Sequence, residues 1–163
     1  MKQLILATLL SLVSFGSDVS QSTGTVHHIQ PKQSSNKIPS ELMNQITHDH
    51  RELLTTFNGS VTDLFYNCIV QRLDLNKDEV PDFLIAMRSY PFAGNHVGTL
   101  LIYQKTSSGY RNLSPEDDLA YSLDRPTKII GGKAFSNGFV DLEETIGTRR
   151  TKLIFNGRYY KAR

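Results

Sequence analysis

The sequence has 163 residues, of which 18 are Lys or Arg and 16 are Asp or Glu, giving a formal net charge of +2. Its hydrophobic fraction of 39%, with 21% charged residues, is typical of a folded globular chain and excludes wholesale disorder. The small net charge argues against a nucleic-acid-binding protein, in which a concentrated basic face is expected. Cys68 is the only cysteine, so an intrachain disulfide is excluded.

The first 39 residues are predicted to be an export signal followed by a polar leader. A positive charge precedes the apolar run of residues 4–13, and small residues at 14–16 offer a cleavage site, which is the layout of a signal peptide. The run is shorter than the roughly 20 apolar residues that cross a bilayer. Residues 17–39 are rich in Ser, Gln and Thr and predict a flexible leader. We therefore expect a periplasmic or secreted protein, with no membrane span after cleavage of residues 1–16.

One helix is predicted at the start of the folded part, over residues 41–55. Ser40 is a good N-cap, and the spacing of Leu42, Ile46 and Leu53 is close to the 3.6-residue period of a helix. Six to seven short strands are predicted after it, because the apolar pattern becomes alternating or continuous and is broken by brief turns. Residues 40–163 are therefore expected to form a single α+β domain, with the N-terminal helix packed on one antiparallel sheet.

The first and last of these strands have the clearest patterns. Every second residue of 64–70 is apolar, which predicts a strand whose Cys68 faces the core. Asn156-Gly157 lies between two apolar segments near the end of the chain, and this dipeptide is the strongest short-range signal for a hairpin. A two-residue turn is predicted there.

An acidic loop, residues 74–82, is the most distinctive stretch of the chain. Oxygen atoms at alternate positions of a tight loop can converge on one point, which is how Ca²⁺ collects about six to eight oxygen ligands. The predicted calcium ligands are Asp74, Asn76, Asp78, the Val80 carbonyl and Asp82. The alternative is a loop stabilised by Asx turns, in which Asp74 and Asn76 accept hydrogen bonds from their own backbone.

Two positions depart from the usual calcium-binding loop. Glu79 stands where a Gly is needed for a sharp turn, and Ile85 stands where an EF-hand has a bidentate Glu. Calcium is the only cofactor that the sequence indicates, and both departures count against it.

The pattern Asp-x-Asn-x-Asp-x-x-Pro-Asp of the acidic loop, leading into an apolar strand, resembles the loop of FG-GAP and VCBS-type segments. It also resembles a group of small exported bacterial proteins that carry a single such loop. In that group two hairpins follow the loop, and here LLIYQKTSSGYRNL at 100–113 and FNGRYY at 155–160 occupy those places. The resemblance covers about residues 64–163. It implies an exported α+β domain and no particular activity.

A second loop, residues 89–95, places two aromatic side chains and a proline between strands. Tyr90, Pro91 and Phe92 are the predicted partner-binding residues, because aromatic side chains dominate the energetics of many interfaces. The alternative is that Tyr90 and Phe92 fold back over one end of the core.

The candidate catalytic and metal-binding residues outside these loops do not form a recognisable set. Cys68 with His96 lacks a glycine-rich elbow, and Cys68 is predicted to be a core residue. His48 and His50 lie two residues apart on the predicted helix, so they point in different directions and do not face one ion. No catalytic residue is therefore predicted.

Charge is distributed unevenly along the second half of the chain. Residues 114–144 contain seven acids and three bases, whereas residues 145–163 contain six bases and no acid. We expect strands from the two segments to pair, so that much of this charge cancels across strands. Without such pairing, the terminal hairpin would present a basic face to an anionic partner or membrane surface.

Together these features predict a non-enzymatic exported binding module of the bacterial envelope, such as an immunity protein or a hydrolase inhibitor with a protein partner. The first alternative is a calcium-stabilised surface or adhesion domain that uses the acidic loop. The second alternative is a hydrolase with an unrecognised site. No nucleic-acid partner is expected.

Overall fold

The computed structural model describes residues 38–114, 119–125 and 127–163. The predicted signal peptide, residues 1–16, and the predicted leader up to residue 37 lie outside the described residues. The acids at positions 116–118 lie outside them as well. Within the described part, no helix is both long and apolar enough to span a membrane.

Three short helices precede the strands: α1 (Ser40–Asp49), α2 (Arg51–Leu54) and α3 (Val61–Phe65). The single helix predicted over residues 41–55 is interrupted at His50, whose backbone has φ −109° and ψ 27°. The ring of His50 packs edge-on against Phe92, with the ring centroids 5.1 Å apart. The helix is thus interrupted at a residue with a long-range contact, which the local spacing of apolar residues does not contain.

Helix α3 replaces the first half of the strand predicted at residues 64–70. It begins with a capping box, in which the Ser60 hydroxyl accepts from the Asp63 backbone N–H at 3.2 Å and the Asp63 carboxylate accepts from the Ser60 N–H at 2.9 Å. Tyr66 is 66% exposed instead of facing the core. Cys68 is buried, as predicted, although no strand includes it.

The described residues contain nine strands, all antiparallel, in two sheets. The first sheet contains β1 (Ile69–Leu73), β2 (Asp82–Met87), β3 (Val97–Thr106), β4 (Gly109–Asn112) and β5 (Ala120–Ser122). Its order is β1-β2-β3-β4, and β5 also pairs with β3. The second sheet contains β6 (Thr127–Ser136), β7 (Phe139–Ile146), β8 (Arg149–Phe155) and β9 (Tyr160–Ala162), in that order.

The helices, the first sheet and the second sheet form three layers with an apolar core on each side of the first sheet. The core under the helices includes Leu42, Ile46, Phe65, Phe83, Ile85, Leu101 and Tyr103. The core between the two sheets includes Leu75, Leu84, Ile102, Leu142, Leu153, Phe155 and Tyr160. Every residue of β2 is buried, because the first sheet is covered on both faces.

The predicted α+β fold, with one helix packed on a single sheet of six to seven strands, is therefore wrong. The structure is mostly β, with two sheets and only three short helices in the described ranges. The physical reason lies in β2, where Phe83, Ile85 and Met87 face the helices while Leu84 faces the second sheet. A sheet covered by one helix needs an apolar pattern on one face only, whereas both faces of β2 are covered here.

An antiparallel hairpin does join β8 and β9 at Asn156-Gly157, but its turn is longer than predicted. Phe155 pairs with Tyr160, so the connecting loop has four residues and not two. The Asn156 side-chain oxygen accepts hydrogen bonds from two backbone N–H groups of this loop, both at 2.9 Å. The loop is therefore an Asx-type turn built around that side chain.

Candidate functional site

The acidic loop between β1 and β2 uses its side-chain oxygens to hold its own backbone. The Asp74 carboxylate accepts from the N–H groups of Asp78 at 3.1 Å and of Glu79 at 3.0 Å. Lys77 and Glu79 both have positive φ, at 60° and 66°. Glu79 therefore adopts the left-handed conformation that the Gly at this position of the usual calcium-binding loop would adopt.

Asn76 and Asp78 complete this network. The Asn76 side chain accepts from the Asp78 N–H at 3.4 Å and donates to the Asp78 carboxylate at 2.8 Å. The other oxygen of Asp78 accepts from the Val80 N–H at 2.9 Å. Asp74 and Asn76 therefore accept hydrogen bonds from the backbone of their own loop, as the alternative interpretation expected.

Asp82 is the fully buried member of the acidic loop. Its two carboxylate oxygens accept from the backbone N–H of Leu75 at 3.0 Å and of Lys105 at 2.8 Å, so it joins the loop to β3. Burial raises the pKa of Asp82 to about 6, although the two hydrogen bonds lower it. The charges of Asp78 and Asp74 add to the rise.

The acidic loop also connects the two sheets. Leu75 is fully buried in the core between the sheets, and its carbonyl accepts from the Val140 N–H of β7 at 2.7 Å. The next residue, Asp141, has a buried carboxylate oxygen with no hydrogen-bond partner among the residues that the structure describes. The charges of Asp82 and Asp141 both raise the pKa of Tyr160, after the larger effect of burial. Asp141 therefore belongs to the same corner of the protein.

Sequence reasoning did not find Asp141, because it lies in a different sheet from the acidic loop and no local pattern links the two. Across residues 38–114, 119–125 and 127–163, no group of three or more His, Cys, Asp or Glu is arranged to hold a metal ion. Calcium binding by Asp74, Asn76, Asp78, Val80 and Asp82 stays a prediction.

The aromatic loop between β2 and β3, residues 89–95, separates its two aromatic residues. Phe92 is 4% exposed and packs on His50, and its carbonyl accepts from the Thr99 hydroxyl at 2.7 Å. Tyr90 is 60% exposed, with its hydroxyl 3.1 Å from that of Thr56. Only Phe92 folds over the core, while Tyr90 projects from the helical layer beside the half-buried Pro91.

An open groove of about 450 Å³ lies along the helices on the same layer. Two of the residues that line the groove, Leu54 and Val61, are apolar. The lining also includes His48 and Arg51, and it includes no acidic residue. His48 and His50 lie on different sides of the helical layer, because His48 lines the groove while His50 packs on Phe92. The lining residues are Asn44, Thr47, His48, Arg51, Leu54, Thr55 and Val61.

Cys68 and His96 are not arranged as a nucleophile and its base. Cys68 is 1% exposed, and its thiol donates to the Phe65 carbonyl at 3.1 Å. Burial raises the pKa of this thiol to about 11, so it is protonated at neutral pH. His96 is exposed and pairs with Asp124 at 2.7 Å.

The acids and bases of the second sheet cancel only in part. Glu143 of β7 lies opposite Lys152 of β8 and forms an ion pair with Arg150 at 3.7 Å. Glu144 is 7% exposed on the inward side, where burial raises its pKa and the charge of Arg149 opposes the rise.

Comparison with known proteins found no matching protein-family model, no matching curated protein sequence and no matching solved structure. The resemblance of the acidic loop to FG-GAP and VCBS-type segments therefore stays a prediction.

Proposed function

We propose that this protein is a non-enzymatic exported binding module of the bacterial envelope, of the type of an immunity protein or hydrolase inhibitor. Its binding surface is the helical layer, which we call the helix-side surface and define by Tyr90 together with the groove along α1 and α2. The observation that carries the proposal is the exposure of Tyr90 on a loop whose other aromatic residue is anchored in the core.

The aromatic loop is well suited to present a side chain to a partner. Burial of Phe92 fixes the base of the loop, and the hydroxyl pair of Tyr90 and Thr56 restrains the exposed ring. A restrained tyrosine loses little conformational entropy when a partner covers it, and tyrosine is enriched among residues that dominate interface energies. Tyr90 therefore has the character of an interface anchor.

The groove indicates what chemistry the partner presents. Leu54 and Val61 supply apolar contact, whereas Arg51 supplies positive charge and His48 a ring that can form hydrogen bonds, with no acid in the lining. A protein segment that carries an acidic side chain next to an apolar one is complementary to this lining. We therefore assign the helix-side surface to a protein partner with such a segment.

The proposal is tested by capture from envelope extract with the full chain and two variants. Tyr90→Ala and Arg51→Glu should each remove the same captured protein, because each changes the helix-side surface. The matched control Arg125→Gln changes an exposed base outside that surface and should retain it. A protein captured equally by all four chains, or no captured protein at micromolar affinity, would argue against the proposal.

The second candidate is a calcium-stabilised surface or adhesion domain that uses the acidic loop. It is favoured by the crowding of Asp74 and Asp78 with the buried Asp82, because the charges of Asp78 and Asp74 add to the effect of burial in raising the pKa of Asp82. A divalent cation would offset this repulsion and stabilise the folded state, by about 2.7 kcal/mol at a hundredfold excess over Kd. Calorimetry with Ca²⁺ that shows no heat, together with a melting temperature unaffected by chelator, would remove this candidate.

A further inference from the structure

The outer face of the second sheet carries a concentration of basic side chains, which we call the basic face. Alternation along β8 and β9 places Leu153, Phe155 and Tyr160 inward and the basic-face residues of these two strands outward. The basic face consists of Lys128 on β6, Arg150 and Lys152 on β8, Lys161 on β9 and Arg163 directly after β9.

Strand pairing brings three of these bases, Lys152, Lys161 and Arg163, together. Lys161 pairs with Ile154, two residues from Lys152 on the same side of β8. The backbone N–H of Arg163 donates to the Lys152 carbonyl at 2.8 Å, which places these two residues side by side. Adjacent strands lie about 4.8 Å apart and alternate residues about 7 Å apart, so the bases form a compact grid.

The acids of β7 neutralise little of this charge. Of the three acids of β7, Glu143 forms the ion pair with Arg150, Glu144 points inward, away from the basic face, and Asp141 forms no ion pair within the described ranges. Lys152, Lys161 and Arg163 form no ion pair with any residue that the structure describes. Of the bases on the basic face, only Arg150 therefore has its charge cancelled by an ion pair across strands within the described residues.

We propose that the basic face docks this protein on the surface of an anionic lipid bilayer. The face belongs to an open sheet, and half-buried Ile130 and Ile154 lie among the bases, which suits the boundary between headgroups and acyl chains. The outward residues of β8 are Arg150, Lys152 and Ile154, without an aromatic side chain on which a nucleic-acid base could stack. These features favour a lipid surface over a single-stranded nucleic acid.

The arrangement of layers gives this docking a consequence. The basic face is the outer surface of the second sheet, and the helix-side surface lies on the opposite side of the first sheet. A chain held by the basic face therefore directs Tyr90 and the groove away from the bilayer. The docking proposal does not depend on the helix-side surface, since the two use different residues.

The test is sedimentation of the full chain with vesicles of phosphatidylcholine alone or with about one third phosphatidylglycerol added. The full chain keeps the apolar residues 4–13 in both experiments, so the difference between the two compositions reports the charged contribution. We expect tighter binding to the anionic vesicles, with the difference lost as salt is raised from about 0.1 M to about 1 M.

A charge-neutralising pair of variants sharpens this test. Lys152→Gln with Lys161→Gln should weaken binding to anionic vesicles about 25-fold, since each base near such a surface contributes about fivefold. The matched control, Lys77→Gln with Arg125→Gln, removes the same charge from exposed positions elsewhere and should bind like the parent chain.

Equal binding to both vesicle types, or equal weakening by the two double variants, would overturn the proposal. Tighter binding to a single-stranded or duplex nucleic acid than to anionic vesicles, at the same salt concentration, would overturn it in favour of a nucleic-acid ligand. Melting temperatures of the variants equal to that of the parent chain would show that the charge change, and not unfolding, causes the effect.

Discussion

The two loops that flank β2 have opposite relations to the rest of the protein. The acidic loop before β2 turns inward: Leu75 enters the core between the sheets, and Asp82 is fully buried on two backbone N–H groups. The aromatic loop after β2 buries Phe92 but leaves Tyr90 60% exposed. The loop with the more recognisable motif thus packs into the core, while the plainer loop presents a side chain to solvent.

This difference teaches that polar side chains at regular spacing in a loop have two uses. Asp and Asn oxygens at alternate positions can surround a cation, and they can equally satisfy the N–H groups of a tight turn. The hydrogen bonds of Asp74 and Asp78 show the second use here. Four changes, taken from the largest expected effect to the smallest, test whether the two loops differ in this way.

Leu75→Ala should have the largest effect, because Leu75 is fully buried between the sheets. We expect the free energy of unfolding in urea to fall by about 3 kcal/mol, from lost apolar burial and the cavity left behind. Val80→Ala in the same loop is the control and should change it by less than about 0.5 kcal/mol, since Val80 is 39% exposed. A loss below about 1 kcal/mol for Leu75→Ala would show that the loop does not connect the sheets.

Asp82→Ala should have the next largest effect, because it leaves the buried N–H groups of Leu75 and Lys105 without their acceptor. We expect a loss of about 2 kcal/mol in the free energy of unfolding, measured in urea at pH 7. Asp124→Ala removes an exposed carboxylate that pairs with His96 and should cost less than about 0.5 kcal/mol. Equal losses for the two variants would contradict the structural role of Asp82.

The pH dependence of stability should carry a signature of Asp82. Its pKa in the folded protein is about 6, above the value near 4 of an unfolded Asp, so the folded state binds the proton more tightly. The contribution of Asp82 to the free energy of unfolding is therefore fully present below about pH 4 and is lost as the pH rises through about 6. Urea unfolding across this range should show a steeper fall for the parent chain than for Asp82→Asn, which retains only the smaller contribution of groups such as Glu144. Identical profiles would mean that the pKa of this carboxyl is not raised.

Tyr90→Ala should have the smallest effect on stability, although it removes the largest exposed ring of the aromatic loop. We expect a change below about 0.5 kcal/mol in the free energy of unfolding, because Tyr90 contacts little besides the Thr56 hydroxyl. Phe92→Ala, in the same loop, should cost about 3 kcal/mol because Phe92 is 4% exposed. A large loss for Tyr90→Ala would place both aromatics in the core and remove the contrast between the loops.

The sequence predicted those features that depend on neighbouring residues. The spacing of Leu42 and Ile46 predicted a helix, and Asn156-Gly157 predicted a hairpin, because both signals are local. The capping box of Ser60 and Asp63 was equally local and readable, but the apolar alternation that follows it favoured a strand.

The features that sequence reasoning missed depend on distant residues. The second sheet was missed because burial of Leu84 on the other face of β2 is visible only once the sheets are assembled. The sequence of the aromatic loop does not show which of Tyr90 and Phe92 is buried, because the buried ring is the one that contacts the distant His50. Asp141 lies near the acidic loop because its neighbour Val140, in β7, bonds to Leu75. The sequence has no local signal for this pairing between sheets.

The central claim, that the helix-side surface binds a protein partner, is tested most directly by the affinity of the captured partner for Tyr90→Ala. Titration calorimetry should show binding at least about 30-fold weaker than for the parent chain, as expected for an interface anchor worth about 2 kcal/mol. Arg125→Gln should bind with the parent affinity. Equal affinities of the parent chain and Tyr90→Ala for that partner would contradict the claim.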